Sequence, residues 1–191
     1  RKDWVARAQS LMQEWRDEFQ PLLESENAPP RPERVCKELT DNLPDDAILV
    51  SDTGLAGSAR RQARLPRSPG GLLHRCNGVW CHLVELETAV RWNIPAVIVI
   101  NNNRSLNQEI AVYSKAYGGE LEGRHGELWQ FQDIDFAKLA QCMGAEGIRV
   151  DKPGAFAGAL DQALNCGKPC VIDVVAEVEA VAPLGYLPPN S

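Results

Sequence analysis

The sequence predicts an α/β fold, a parallel β-sheet with helices on both faces. Three observations predict it. Short apolar runs alternate with helix-period stretches from about residue 33 to residue 175. The runs 47–51, 96–100 and 170–175 are almost continuously apolar, as strands covered on both faces are. The stretches between them carry apolar residues at spacings of three and four.

Residues 3–19 place Trp4, Val5, Ala8, Leu11, Met12, Trp15 and Phe19 on one face of a helix. That face needs something to lie against. Pro29, Pro30 and Pro32 mark a linker. Glu33 to Leu43 reads as a second helix, with Val35, Leu39 and Leu43 in register. Pro44-Asp45-Asp46 turns the chain into the strand Ala47 to Ser51. From His82, the residues Leu83, Leu86, Ala89 and Val90 form a helical stripe ending near Asn93, and Pro95 breaks it. The strand Ala96 to Ile100 follows, closed by Asn101-Asn102-Asn103. Residues 104–132 are polar and Gly-rich, too long a stretch for an inert connection, and a functional loop is expected there. Helix 134–143, strand 147–150, helix 153–165 and strand 170–175 complete the alternation. Pro153 suits a helix N-terminus. The Pro-rich tail after Glu179 is expected to drape over the surface.

Residues 55–76 break the pattern. They contain five arginines, no acidic residue and no period of either kind. Pro66 and Pro69 cannot donate ladder hydrogen bonds, so no regular strand is expected there and the sheet should be incomplete.

A chain of 191 residues with 44% hydrophobic content suits one α/β domain plus an appendage. The net charge of −6 is mild, and Lys and Arg form no block. Both points argue against nucleic acid or an anionic membrane as partner. No apolar run approaches the ~20 residues that span a bilayer. The first residue is Arg1 and no signal-peptide pattern follows, so a piece of a longer, cytoplasmic protein is expected. The six cysteines form no CxxC pair, and the three histidines complete no zinc spacing. Reduced thiols are expected.

In doubly wound sheets, ligands sit at the carboxyl ends of strands. Two such ends carry polar clusters here: Ser51-Asp52-Thr53-Gly54 and Asn101-Asn102-Asn103. Three asparagines supply neutral amide oxygens suited to Mg²⁺ or Ca²⁺. The same triplet also serves as a turn with no ligand, and the pattern leaves both readings open.

The run VELETAVRWNIPAVIVINNN, residues 84–103, resembles the diphosphate-binding motif of thiamine-diphosphate-dependent enzymes. That motif opens with Gly-Asp-Gly, continues through a Glu-Leu-containing helix and an Ile-Pro strand, and closes with Asn-Asn. RPERVCKELTDNLPDDAILVSDTG (31–54), NNNRSLNQE, and the stretch from DFAKLAQCMGAEGIRV to PCVIDV also resemble the C-terminal domain of that family. The acetolactate synthase-like branch, which includes several decarboxylases, is the nearest in pattern. The resemblance covers most of residues 31–184 and is strongest over 82–107.

The resemblance implies three parts: residues 1–30 as a helical linker from a preceding domain, 31–184 as the diphosphate domain, and 185–191 as a tail. It implies the cofactors thiamine diphosphate and Mg²⁺, with cofactor contacts at Asp52, Thr53, Gly54, Gly78, Asn103, Leu106 and Asn107. The metal would be held by the Asn103 side chain, the main-chain carbonyl of Ser105 and the acid of Gly-Asp-Gly. That last position falls on Cys76, within Arg75-Cys76-Asn77. A thiol is a poor ligand for a hard cation, and an Arg replaces a glycine that lets backbone approach phosphate. The activity implied is decarboxylation of a 2-oxo acid, with release of an aldehyde or ligation to an acceptor. The partner implied is the pyrimidine-binding domain of another subunit, in a homodimer or homotetramer. That domain carries the family's activating glutamate, so no catalytic residue is named in this chain. Glu85 and Glu87 are expected to be structural or exposed.

A frameshift would explain the anomalous segment. One permissible set of codons for Gly54 to Arg75, read one base later, encodes ALPAALGAKRACPDRPVVCFTG, close to what the family carries before its metal-binding Asp. Restoring one base at Cys76 gives GDNGVWCHL. A deletion near residue 53 is required as well. The competing reading of function is therefore a non-catalytic remnant or fragment with a frameshifted, defective cofactor site. A different nucleotide-binding module has less support, because neither GxGxxG nor a Walker loop is present.

Overall fold

The structure is a computed structural model that describes residues 2–51, 68–119, 121 and 123–180. Five parallel strands form one sheet in the order β1-β2-β3-β5-β4. They are β1 (Ile48–Ser51), β2 (Ser68–Arg75), β3 (Val97–Asn102), β4 (Glu146–Val150) and β5 (Cys170–Val175). Among the described residues the helices are α1 (Lys2–Leu23), α2 (Pro32–Asn42), α3 (Cys76–His82), α4 (Glu85–Arg91), α5 (Ile110–Ala116), α6 (Phe136–Cys142) and α7 (Phe156–Asn165).

Two apolar clusters show that both faces are covered, as the alternating pattern predicts. On one face, Val35, Cys36 and Leu39 of α2 meet Phe156, Ala159, Leu160 and Ala163 of α7 over Val97, Val99, Cys170, Ile172 and Val174. On the other, Val79 of α3, Leu86 of α4 and Phe136 and Ala140 of α6 cover Ile100 and Val171. The chain moves in one direction through the sheet from β2 to β3 to β4, and the intervening α3, α4 and α6 share a face. It steps back from β4 to β5, and α7 lies on the opposite face. Crossovers of a single hand require this alternation.

α1 lies against α2 yet has no buried residue. Trp15 and Phe19 pack together at 5.1 Å between ring centroids, whereas Trp4, Val5 and Met12 are exposed.

Several expectations need correction. Residues 68–75 do form a strand, hydrogen-bonded in parallel to both β1 and β3. Four of the five arginines of 55–76 precede residue 68, leaving Leu72 and Leu73 at the middle of β2. Pro69 falls at a register shift against Ile48, where the ladder is already interrupted. Pro66 and the rest of 55–67 lie outside the described residues, as does the tail beyond residue 180. The helical stripe read from His82 falls on α4, which starts only at Glu85; α3 ends at His82, and Leu83 lies in the turn between them. α4 ends as the sequence foretells. Asn93 takes a left-handed φ of 49°, and its N–H and that of Ile94 bond back to the carbonyls of Val90 and Ala89. β3 runs two residues further than expected, so Asn101 and Asn102 belong to the strand. The stretch 104–132 is not a plain loop, because it contains α5 and the short 3₁₀ turns Asn107–Glu109 and His125–Leu128. Finally, α7 starts at Phe156 with Ala155 as its cap, so Pro153 precedes the helix instead of opening it.

Candidate functional site

The carboxyl ends of β1, β2 and β3 lie side by side. Ser51 pairs with Leu73, and Arg75 pairs with Asn101. Cys76 opens α3 directly after β2, and Asn103 follows β3 by one residue. The two positions expected to hold a metal therefore sit at neighbouring strand ends. Gly78 lies in the first turn of α3. Asp52, Thr53 and Gly54, expected to contact the cofactor, lie outside the described residues.

Asn101, Asn102, Asn103, Ser105 and Asn107 are all at most 3% exposed. Polar side chains are buried only where something satisfies them. The strand alternation splits the asparagines. Asn102 shares the α6 face with Ile98 and Ile100 and donates to the Ile134 carbonyl at 3.0 Å and to Asp173 Oδ1 at 2.9 Å. Asp173, on β5, is fully buried. It also accepts from the Phe136 N–H at 3.0 Å and from Arg149 Nη1 at 3.0 Å. Burial pushes the Asp173 carboxyl above the ordinary range, against the opposing pull of Asn102, Arg149 and the Phe136 amide.

Beyond β3 the backbone turns sharply. Arg104 has a φ of 55°, a left-handed conformation that costs a non-glycine residue roughly 1–2 kcal/mol. Two backbone bonds hold the turn: the Leu106 N–H to the Trp129 carbonyl and the Phe131 N–H to the Arg104 carbonyl, each 2.7 Å. Neither uses the carbonyl of Ser105, the expected metal ligand. Asn103 Nδ2 donates to Asn107 Oδ1 at 3.2 Å, and Asn103 Oδ1 accepts from the Ser105 N–H at 3.4 Å. Leu106 is partly buried between Ser105 and Asn107.

Among the described residues, buried Asn101 Oδ1 and Arg104 Nε at this end have no hydrogen-bond partner. An unpartnered acceptor near the end of β3 and an unpartnered donor just beyond it fit a group that brings both a cation and an anion, as a metal diphosphate does. The amide oxygens are hard, neutral donors of the kind Mg²⁺ takes. The β3 side of the site therefore fits the metal and the diphosphate. The β2 side ends in Cys76, at the position where the resemblance implies a carboxylate. Among the described residues, no group of three or more His, Cys, Asp or Glu side chains is placed to hold a metal.

Sequence reasoning missed Arg104 and the Asp173 network. The second had a signal. Asp173 interrupts an apolar run read as a doubly covered strand, and a buried acid must find partners. Glu85 and Glu87 are exposed, as expected, and Glu87 pairs with Arg91 at 3.1 Å. No helix among the described residues is long and apolar enough to cross a membrane.

Comparison with known proteins identifies the family. The family described as "Thiamine pyrophosphate enzyme, C-terminal TPP binding domain" matches residues 78–174, more than half of the chain. The probable acetolactate synthase large subunit of Methanococcus aeolicus is 25% identical over 90% of this chain and 33% of its own length. The acetolactate synthase of Bacillus subtilis (strain 168) is 34% identical over 48% of this chain and 15% of its own. The thiamine diphosphate-dependent 4-hydroxybenzoylformate decarboxylase of Rhodococcus jostii RHA1 shares the fold, with a TM-score of 0.67 over 80% of this chain and 34% of that one, at 22% identity. The chain spans about a third of the length of the relatives that it matches along most of its own. It belongs to the thiamine pyrophosphate enzyme family, acetolactate synthase-like, of which it carries the C-terminal TPP-binding domain.

Proposed function

We propose that this chain is the diphosphate-binding part of a thiamine-diphosphate- and Mg²⁺-dependent enzyme that decarboxylates a 2-oxo acid and releases an aldehyde or ligates the fragment to an acceptor. The observation that carries this reading is the buried asparagine cluster at the end of β3, with its orphaned acceptor and donor, beside the first residue of α3. The Asn103 side chain and the Ser105 carbonyl would hold the metal, and Arg104 Nε would meet a phosphate oxygen. When bound, the cofactor supplies the carbanion chemistry. The chain's own residues bind and orient. Asn103 presents an amide oxygen, the Arg104 turn holds the Ser105 carbonyl in place, and α3 brings Gly78 to the same end of the sheet. A pyrimidine-binding domain of a partner subunit, in a homodimer or homotetramer, would complete the site.

A second reading is favoured by Cys76. With a thiol in the place of the carboxylate, the chain is a remnant whose cofactor site is defective, as a frameshift across residues 54–75 would leave it. Calorimetric titration with thiamine diphosphate, with and without Mg²⁺, tests both readings. Restoring the acid with Cys76→Asp should produce or strengthen Mg²⁺-dependent binding at least tenfold. No gain in that variant would overturn the site. Micromolar, Mg²⁺-dependent binding by the unaltered chain would overturn the defective-site reading.

A further inference from the structure

Asn107 lies four residues past Asn103 and is 2% exposed. Its amide makes hydrogen bonds to three distinct partners. Nδ2 donates to the carbonyls of Val178 at 2.8 Å and Ala180 at 2.7 Å, and Oδ1 accepts from Asn103 Nδ2 at 3.2 Å.

These contacts settle the orientation of two amides in turn. Carbonyl oxygens only accept, so the end of Asn107 that faces Val178 and Ala180 must be its nitrogen. A reversed amide would set three oxygens against one another. The oxygen of Asn107 consequently faces Asn103, and only the nitrogen of Asn103 can meet it. Asn103 Oδ1 is thereby turned to the other side, where the Ser105 N–H lies. That choice matters at a cation site, because an amide oxygen is a ligand for Mg²⁺ and an amide nitrogen is not.

The carbonyls that start this relay are themselves anchored. The segment after β5 is held by the Ala176 N–H on the Asn102 carbonyl at 2.9 Å and the Glu177 N–H on the Pro30 carbonyl at 3.1 Å. Arg31 pairs with Glu177 at 3.0 Å and with the buried Glu33 at 3.2 Å. Residues 178–180 thus have a defined position from which to fix Asn107.

We propose that Asn107 is a positioning residue that holds the Asn103 amide with its oxygen toward the metal-diphosphate site, and that the segment Val178–Ala180 sets this orientation. The inference rests on the functional reading above.

Its test uses the 191-residue chain carrying Cys76→Asp, with two further variants. Asn107→Asp keeps an acceptor for Asn103 Nδ2 and loses both donors. Asn107→Leu loses donors and acceptor together. Side-chain ¹H–¹⁵N spectra report whether Asn103 Nδ2 remains hydrogen-bonded before any ligand is added. Manganese resonance then reads Mn²⁺ binding in the presence of thiamine diphosphate. The hydrogen-bonded Asn103 signal should persist in Asn107→Asp and vanish in Asn107→Leu. Mn²⁺-dependent affinity should fall tenfold or more in Asn107→Leu and by clearly less in Asn107→Asp, which keeps the acceptor for Asn103 although its second oxygen meets the two carbonyls. Unchanged affinity in Asn107→Leu, or an equal fall in both variants, would overturn the positioning role. If the Asn103 signal behaves as expected but the Cys76→Asp chain binds no Mn²⁺ with thiamine diphosphate, the cofactor reading falls, and the proposed role with it.

Discussion

Asn102 Nδ2 and Asp173 Oδ1 lie 2.9 Å apart, both buried, one at the end of β3 and the other within β5. The bond ties the last residue of β3 to the next strand, immediately before Asn103. Asp173 spends its other oxygen on Arg149 and on the Phe136 N–H at the start of α6. One carboxylate thus joins β3, β4, β5 and α6.

Asp173→Ala should be strongly destabilising. It leaves Asn102, the Phe136 amide and Arg149 without their shared acceptor. Breaking a buried pair costs 3–5 kcal/mol, and Arg149 is partly exposed and keeps Asp133 at 2.8 Å. A loss of about 3 kcal/mol is expected from urea unfolding at neutral pH. A loss under about 1 kcal/mol, the size of one ordinary hydrogen bond, would show that the network is not what holds this end of the sheet.

The pH dependence of stability follows from the same residue. The folded pKa of Asp173 lies above 3.8, so the folded state retains the proton longer than the unfolded chain. Its stabilising contribution is complete below the unfolded value and is lost as the pH rises through the folded one. Asp173→Asn cannot titrate. The stability of the unaltered chain relative to Asp173→Asn should therefore shrink as the pH rises from about 4, the unfolded value. A relative stability that grows over that range would contradict the raised pKa.

Gly147→Ala should unfold at a lower temperature although its backbone is not left-handed. A Cβ there would collide with the Ala137 carbonyl, because α6 crosses β4 in close contact at this point. The obstacle is backbone, which cannot rotate away. Overpacking typically costs 1–3 kcal/mol, and the upper end, about 3 kcal/mol, is expected. Calorimetric melting checks this, and a melting temperature equal to that of the unaltered chain would place α6 further from the sheet.

The thiols should divide by burial. Cys36 and Cys170 are buried, and burial pushes both thiols up to about 12. Cys81 and Cys142 are exposed. Iodoacetamide labelling read by mass spectrometry should modify Cys81 and Cys142 in the folded chain and reach Cys36 and Cys170 only on unfolding. Between pH 9 and about 12 the unfolded thiolates form while the folded thiols do not, so stability should fall with rising pH. Cys36→Ala should flatten that fall. An equally steep alkaline limb in this variant would assign the loss elsewhere.

The unaltered chain should bind thiamine diphosphate with Mg²⁺ in the millimolar range or more weakly. Losing one charged, desolvated contact costs on the order of 2–5 kcal/mol, and Cys76 takes the place of such a contact. At ~1.4 kcal/mol per decade this is roughly 30- to 4,000-fold in affinity. Calorimetry checks it. Arg104 recovers part of the loss if its unpartnered Nε meets a phosphate, so Arg104→Gly should weaken whatever binding remains.

Much of the fold was legible because its signals are local. The apolar runs at 96–100 and 170–175 and the stripe of Leu86, Ala89 and Val90 announce their elements, since burial on both faces of a strand or one face of a helix leaves a period in the sequence. Asn93 followed by Pro95 announces the end of α4. β2 was not legible. Its charged and proline-rich approach hides a short apolar centre, and only pairing with β1 and β3 shows that residues 68–75 complete the ladder. The family motif placed Asn103 at a strand end. Its neighbours could not be read, because Asp173 is seventy-one positions from Asn102, and Val178 as far from Asn107. Hydrogen bonds between such distant residues leave no periodic trace. The sequence alone determined which side chains are available to the site. The tertiary structure decided which way each amide faces, because that depends on carbonyls and carboxylates that only the folded sheet brings within 3 Å.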